Sequence, residues 1–247
     1  MRPFRAELHV HTVLSPCAEV EMIPPLIVSE AIAAGIDLIA VTDHNASANV
    51  SAVQQAAQGT LLVVLPGMEL QTREEVHLLC LFDHLHQLER FQASVDAALP
   101  GTLNNAEHFG EQFVVDATGD FIRREERLLI TSTSFTLHQA WAQVHQLGGL
   151  LIPAHVDRRA FGLFAALGLI PTDIPIEALE LSRHLHPDDA GQRYPQAAGY
   201  PLIQDGDVHR LEEFLGATVF QLDHPSISEI RLALQCRDGR SYQVERR

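Results

Sequence analysis

The chain has 247 residues, of which 46% are hydrophobic, and its 17 basic and 32 acidic side chains give a net charge of −15. This composition excludes a disordered polymer and predicts one globular domain spanning residues 1–247. A field of that sign repels polyanions, so we do not expect long nucleic acid as a partner.

The chain shows no sequence signal for a membrane or for secretion. No apolar run reaches the about 20 residues that a membrane span needs, and the start "MRPFRAELHV" does not resemble a secretory signal. The three cysteines, Cys17, Cys80 and Cys236, form no CxxC pair and no even set for a disulfide framework. We therefore expect a cytoplasmic protein that does not associate with membranes.

The first part of the chain alternates apolar, strand-like runs with helical segments. "AELHVHT" predicts the first strand, and "PPLIVSEAIAAG" predicts a helix with proline at its start and glycine at its end. "IDLIAVTDH" is a continuous apolar run, which is typical of a strand in a parallel sheet covered on both faces. The pattern then predicts a helix in "SANVSAVQQAAQG", strands in "LLVVLPGMEL" and "EVHLLCLF", and a helix over residues 87–98.

Residues 100–133 interrupt this alternation. Two short β-rich pieces flank "DATGD", which predicts a hairpin with its turn at Gly119. The segment is too short for a core of its own, so we expect it to pack on the main domain or to cap its mouth. The alternation then resumes with helices over residues 137–147 and 159–167, the strands "GGLLIPAH", "IEALELS" and "PLIQDGDVH", a polar helix in "HPDDAGQRYPQAAG", and a last helix and strand.

Residues that can bind metal ions collect at the predicted strands. In a barrel of parallel strands the carboxyl ends meet on one face, where active sites are built. The i, i+2 spacing of His9 with His11, and of Asp207 with His209, points each pair to one side of its strand. Imidazoles and carboxylates are ligands for Zn²⁺, Mn²⁺ or Fe, and Glu69 is the carboxylate placed to bridge two ions. The candidate residues are His9, His11, His44, Glu69, His77, His155, Asp207 and His209.

The motifs that carry these residues resemble those of the polymerase-and-histidinol-phosphatase (PHP) superfamily. They are "HVHT", "TDHN", "GMEL" with a following histidine, "AHVDR" and "GDVH", and they keep the family's order over roughly residues 7–215. The resemblance implies an α/β fold, a distorted (β/α)7 TIM-like barrel, here with an inserted β-hairpin excursion near residues 100–133. It also implies that the eight candidate residues are ligands of two or three divalent metal ions (Zn, Mn or Fe).

The same resemblance implies a metal-dependent phosphoesterase. The expected substrate is a small phosphomonoester, such as a nucleotide or a histidinol-phosphate-like compound, attacked by a metal-activated hydroxide. Asp207 or His209 would move a proton, and Arg158, three residues after His155, would clamp the phosphate. Three alternatives stay open: an exonuclease on short oligonucleotides, a C–N hydrolase of the amidohydrolase kind, and a non-catalytic metal-binding regulatory module.

The first motif departs from the family's pattern. Five residues beyond the second histidine the family often has aspartate or histidine, whereas this chain has Pro16, which cannot coordinate. Either Cys17 or Glu19 supplies the missing ligand from the same loop, or the third metal binds weakly or not at all. The native metal, the oligomeric state and the roles of Arg159, Arg183, His184 and His186 also stay open.

Overall fold

The computed structural model describes residues 1–247, which form one seven-stranded sheet, two two-stranded sheets and eight α-helices. The longest helix has 14 residues, and none is both long and apolar enough to cross a membrane. The strands are β1 (Arg2–Val10), β2 (Leu38–Val41), β3 (Val63–Gln71), β4 (His77–Leu81), β5 (Phe113–Val115), β6 (Phe121–Arg124), β7 (Leu150–Pro153), β8 (Leu179–Leu181), β9 (Leu202–Gln204), β10 (Thr218–Leu222) and β11 (Ser241–Val244). The helices are α1 (Pro24–Ala33), α2 (Val50–Ala56), α3 (Leu85–Ala98), α4 (Ala106–Phe109), α5 (Leu137–Gln146), α6 (Leu163–Leu167), α7 (Pro187–Arg193) and α8 (Ile227–Leu234).

The large sheet has the order β11-β10-β1-β2-β3-β4-β7, and it curls so that β8 and β9 bridge its end strand β7 to β1. The Val156 N–H after β7 donates to the Glu180 carbonyl in β8, and β8 pairs with β9 in parallel. The segment after β9 returns to β1, where the His11 N–H donates to the Val208 carbonyl at 2.9 Å. The predicted α/β class is confirmed, and the curled sheet agrees with a distorted TIM-like barrel.

The strands do not follow a regular parallel repeat. β1, β2 and β3 are parallel, but β4 is antiparallel to both β3 and β7. Only residues 72–76 connect β3 to β4, and a parallel connection would need a crossover of a dozen or more residues. β10 and β11 extend the sheet antiparallel beyond β1, outside the barrel.

The central strands are covered on both faces. In β2, Leu38 and Ala40 belong to one buried hydrophobic cluster, while Ile39 and Val41 belong to another. This is the packing expected of a continuous apolar strand in a parallel sheet. A rigid, doubly covered strand fixes the position of the polar residues that follow it.

Residues 100–133 contain α4 and the antiparallel pair β5–β6, and they pack on the loops that follow β1 and β2. The Phe113 N–H donates to the Val13 carbonyl, and the Asn49 side chain donates to the Phe113 carbonyl. The buried Asn45 amide donates to the Leu129 carbonyl at 2.7 Å. The segment thus holds the loops at one rim of the barrel.

Candidate metal centre

The eight predicted ligand residues meet at one rim of the barrel. His9 lies in β1 and Glu69 in β3, while the other rim residues except His77 follow β1, β2, β7 or β9. His77 corrects the expectation that strands contribute only their carboxyl ends, because it is the first residue of β4. Since β4 runs antiparallel, its amino end lies beside the carboxyl end of β3, and His77 reaches the same rim.

Glu69 lies at the centre of this group and is fully buried. Imidazole nitrogens surround both of its carboxylate oxygens. Oε1 lies 2.7 Å from His77 Nδ1, 3.1 Å from His155 Nε2 and 3.2 Å from His9 Nε2, and Oε2 lies 2.9 Å from His44 Nδ1 and 3.3 Å from His11 Nε2. A carboxylate with both oxygens in such surroundings has the geometry to bridge two cations.

The donor atoms form three overlapping groups, and within each group they lie within 4.8 Å of one another. In the group that contains Asp207, the Asp207 Oδ1 lies 3.1 Å from His9 Nε2 and 3.2 Å from His11 Nε2. The groups are His9, His11, Glu69 and Asp207; His44, Glu69 and His77; and His11, His44 and His209.

Several of these buried atoms have no hydrogen-bond partner, although buried polar groups in proteins are normally paired. They include Glu69 Oε2, Asp207 Oδ1, His9 Nε2, His11 Nε2 and His44 Nδ1. Leaving such groups unpaired costs free energy, and divalent cations among them would remove that cost. The residues therefore fit bound divalent cations.

The electrostatics favour the metal-binding form at two of the ligands, Glu69 and His77. Burial opposes ionisation of Glu69, but the neighbouring His77, His9 and His44 hold its pKa well below the usual range. Burial lowers the pKa of His77 to about 4, although Glu69 opposes this. Carboxylates in the ionised form and imidazole in the neutral form are the species that bind metals. At His9, burial opposes protonation, but the carboxylates of Glu180, Asp207 and Glu69 outweigh it and raise its pKa, so a cation must displace a proton there.

Two networks behind the site orient the histidines. Glu180 in β8 contacts His9 Nδ1 at 2.9 Å, which leaves Nε2 for the site, and it also accepts the His155 N–H at 2.8 Å. The Ser15 hydroxyl donates to Asp43 at 2.7 Å and lies 2.9 Å from His11 Nδ1, so it accepts the His11 N–H. Such outer partners fix the tautomer and orientation of ligand histidines.

Glu180 and Ser15 are not among the site residues predicted from the sequence. The signal for Glu180 is a single carboxylate within the apolar strand "IEALELS", where the side chain is almost fully buried. Nothing in the sequence distinguishes Ser15 from an ordinary loop serine.

Backbone strain occurs at two of the site residues. His155 has a φ of 29° and Asp207 a φ of 52°, both in the left-handed region that residues other than glycine rarely adopt. Each follows a strand and turns its side chain into the site. Strain of this kind persists where the surrounding structure requires one conformation, often at functional sites.

The loop after β1 brings Cys17, but not Glu19, to the third donor group. The Cys17 Sγ lies 3.1 Å from His209 Nε2, whereas Glu19 turns outward to Arg210, 2.8 Å away. Desolvation opposes ionisation of the thiol, but His44 and His209 outweigh it and lower the pKa of Cys17 to about 5.

The other residues left open by the sequence fall in different places. Arg158 contacts Asp207 at the edge of the site, whereas Arg159 is exposed and makes no ion pair. Arg183 faces Glu213 at 3.8 Å. The His186 side chain accepts from the Asp188 N–H at the start of α7 and also contacts the Val244 carbonyl, which indicates a structural role, and His184 is exposed.

A family model described as the PHP domain matches residues 7–143, which is more than half of the chain. No curated protein sequence matches it.

Solved structures with similar folds include two of endonucleases. The lesion-specific endonuclease PfuEndoQ from Pyrococcus furiosus is 19% identical with a TM-score of 0.75, over 98% of this chain and 58% of that one. Endonuclease Q in complex with a 27-mer duplex substrate carrying an abasic lesion at the active site is 19% identical with a TM-score of 0.68, over 96% and 57%. A protein described as a metal-dependent phosphoesterase from Bifidobacterium adolescentis is 19% identical with a TM-score of 0.57, over 83% and 87%. This chain thus spans less than two thirds of either endonuclease.

These similarities correct the expectation about nucleic acid. The net charge of −15 led us to expect no long nucleic acid as a partner, but a protein of this fold has been solved with duplex DNA at its active site. Net charge averages over the whole surface, whereas a phosphate binds locally, where cations invert the sign of the field. Whole-chain charge was therefore the wrong quantity for this inference.

Proposed function

Because the chain belongs to the PHP domain family, we propose that it is a metal-dependent phosphoesterase. The observation that carries the proposal is the buried Glu69 carboxylate, with imidazole nitrogens of five histidines 2.7–3.3 Å from its two oxygens. Packing of a hydrophobic core does not explain this arrangement, whereas a site for two neighbouring cations does.

Two of the three donor groups have a proposed occupant here. His9, His11, Glu69 and Asp207 would hold one cation, and Glu69, His44 and His77 would hold a second. His155, whose Nε2 faces Glu69 Oε1, would complete the ligands around that oxygen. When bound, the cations would supply an activated water and offset the negative charge that develops on the phosphoryl oxygens.

The remaining chemistry falls to side chains at the edge of the site. The Arg158 guanidinium, already directed at Asp207, would hold a non-bridging phosphate oxygen and orient the ester. Asp207 Oδ2 or His209 would take the proton from the attacking water or return one to the leaving oxygen. His209 suits this role because its Nδ1 is tied to the Asp207 carbonyl at 2.9 Å while its Nε2 lies at the rim.

Two classes of phosphate ester are candidate substrates. The small phosphomonoester inferred from the sequence agrees with residues 100–133 packing on the loops of the rim. A DNA phosphodiester is favoured by a different observation, the similarity of 98% of the chain to a lesion-specific endonuclease. We give the DNA phosphodiester more weight, because the similarity to the endonuclease includes the whole barrel and the added strands β10 and β11.

The test uses the purified full chain with measured metal content. We expect chelation to abolish hydrolysis, and Zn²⁺, Mn²⁺ or Fe²⁺ to restore it, with p-nitrophenyl phosphate, a nucleotide panel and duplex oligonucleotides with and without an abasic site as substrates. Glu69→Gln should be inactive on every substrate, and Glu89→Gln, at an exposed carboxylate without an ion pair, should equal the wild type. Activity that survives chelation, or that Glu69→Gln retains, contradicts the proposal. Bound metal with no turnover of any ester favours the regulatory module.

A further inference from the structure

Pro16, which removes a ligand position from the first motif, also shapes the loop that carries Cys17. The Ala18 N–H donates to the Ser15 carbonyl at 2.9 Å, which closes a β-turn over Ser15, Pro16, Cys17 and Ala18. Proline favours the second position of such a turn because its φ is already fixed. Cys17 therefore occupies the third position, at the tip of the turn.

The turn is held in place from two sides. The Glu19 N–H donates to the His209 carbonyl at 2.9 Å, which ties the loop to the segment after β9. On the other side, Gly110 approaches so closely that a Cβ there would lie 2.1 Å from the Pro16 carbonyl oxygen. The tip of the turn consequently has a defined position beside His209.

We propose that the Cys17 thiolate is a metal ligand at the third donor group, where it would bind a cation together with His44 and His209. Its Sγ lies 3.1 Å from His209 Nε2, and the His209 and His11 rings stack with centroids 4.1 Å apart. His44 and His209 place donor atoms within 4.8 Å of each other in this group, so two imidazole nitrogens are available beside the thiol. This inference rests on the metal centre proposed above, and it leaves the proton transfer to Asp207, because a cation-bound His209 Nε2 cannot carry the proton.

Sulfur in this position gives the third site a different preference from the other two. Thiolate with imidazole favours Zn²⁺ or Fe²⁺ over Mn²⁺ and Mg²⁺, whereas the sites around Glu69 offer only nitrogen and oxygen. On binding, a sulfur–metal bond forms and the proton shared between Cys17 and His209 passes to solvent. The chain would thus bind a third cation despite Pro16, and the thiolate would make this site prefer Zn²⁺ or Fe²⁺.

Cobalt is the probe, because Co²⁺ bound to a thiolate shows an intense sulfur-to-metal charge-transfer absorption that imidazole and carboxylate ligands lack. The reduced full chain is stripped of metal and titrated with Co²⁺. We expect the absorption in the wild type and in Cys236→Ser, which removes the other exposed cysteine, and its loss in Cys17→Ser. In Cys17→Asp the absorption should be absent while the metal stoichiometry stays at the wild-type value.

Thiol labelling gives a second readout that needs no variant to fold. Zn²⁺ should protect Cys17 from alkylation, with Cys236 as the internal reference whose labelling does not change. In Cys17→Ser, the affinity for one equivalent of Zn²⁺ should fall by at least about 10–100-fold, which is the loss seen when a residue that orients a metal ligand is removed. Equal Co²⁺ spectra in the wild type and Cys17→Ser, or labelling of Cys17 that Zn²⁺ does not slow, overturns the inference. Because neither readout uses turnover, an inactive enzyme that shows both signals would refute only the proposed function.

Discussion

At the scale of single residues, the centre depends on carboxylates that never face solvent. Glu69 faces the candidate cations, and Glu180 lies behind it, bonded to both His9 and the His155 backbone. A ligand histidine whose second nitrogen is held by a carboxylate has one tautomer, one orientation and a more basic ring. The geometry of the site thus depends on residues that need not touch a cation.

Glu180→Gln tests this dependence. The amide oxygen can still accept a hydrogen bond from His9, but the negative charge is lost, so we expect Zn²⁺ affinity to fall by about 10–100-fold. Competition with a coloured chelator measures it. Glu177→Gln is the matched control, because Glu177 precedes the same strand but pairs with Arg231 away from the site. Wild-type Zn²⁺ affinity in Glu180→Gln would show that its charge is dispensable.

Arg158→Ala tests the proposed phosphate contact. Hydrogen bonds to charged groups contribute about 1.5–3 kcal/mol, so kcat/KM for the phosphate ester should fall by about 10–100-fold. Arg158→Lys should recover only part of this, because an ammonium cannot form two parallel bonds to a phosphate. Arg159→Ala, one residue away at an exposed position, should match the wild type. Metal content is measured alongside, since Arg158 also contacts Asp207. An unchanged kcat/KM at full metal content would remove Arg158 from the mechanism.

At the scale of elements, two features set the rim: an antiparallel strand and an inserted segment. β4 brings His77 to the rim by its amino end, and residues 100–133 hold the loops after β1 and β2. That segment comes closest to the loop after β1 at Gly110, which lies against Pro16. The φ of Gly110 is 101°, a conformation that favours glycine. Gly110 thereby connects the insertion to the turn that presents Cys17.

Gly110→Ala should disturb that turn. The new Cβ would meet the Pro16 carbonyl and the backbone conformation would be strained, so we expect a loss of more than about 1 kcal/mol of stability and weaker Co²⁺–thiolate absorption. Gly101→Ala lies in the same segment with nothing within 4 Å and should change neither property. Denaturant unfolding and the cobalt spectrum are the two measurements. If Gly110→Ala keeps the full absorption, the insertion does not position Cys17.

At the scale of the whole molecule, the sequence was most informative where apolar runs end in polar ligands. β1 and β2 and the residues after them follow from that pattern, because local hydrophobicity and metal chemistry agree there. The orientation of β4 and the strand β10 do not follow, since they depend on pairing between distant segments. The helix predicted over residues 159–167 is only Leu163–Leu167, because the chain first turns through Phe161 with a φ of 60°. Glu180 was missed because burial of one carboxylate in a strand is a tertiary property.

Metal removal should lower the stability of the entire fold, because β1, β2, β3, β4, β7 and β9 all contribute to one centre. A ligand that binds only the folded chain at 100 times its Kd adds about 2.7 kcal/mol. For a domain of this size, each kcal/mol shifts Tm by about 2–4 °C, so saturating Zn²⁺ should raise Tm by roughly 5–10 °C over the chelated protein. Glu69→Gln should lose most of this shift, whereas Glu89→Gln should keep it. An equal Tm with and without Zn²⁺ in the wild type would mean that the buried donors at the rim hold no cation, and the partnerless atoms around Glu69 would then need another explanation.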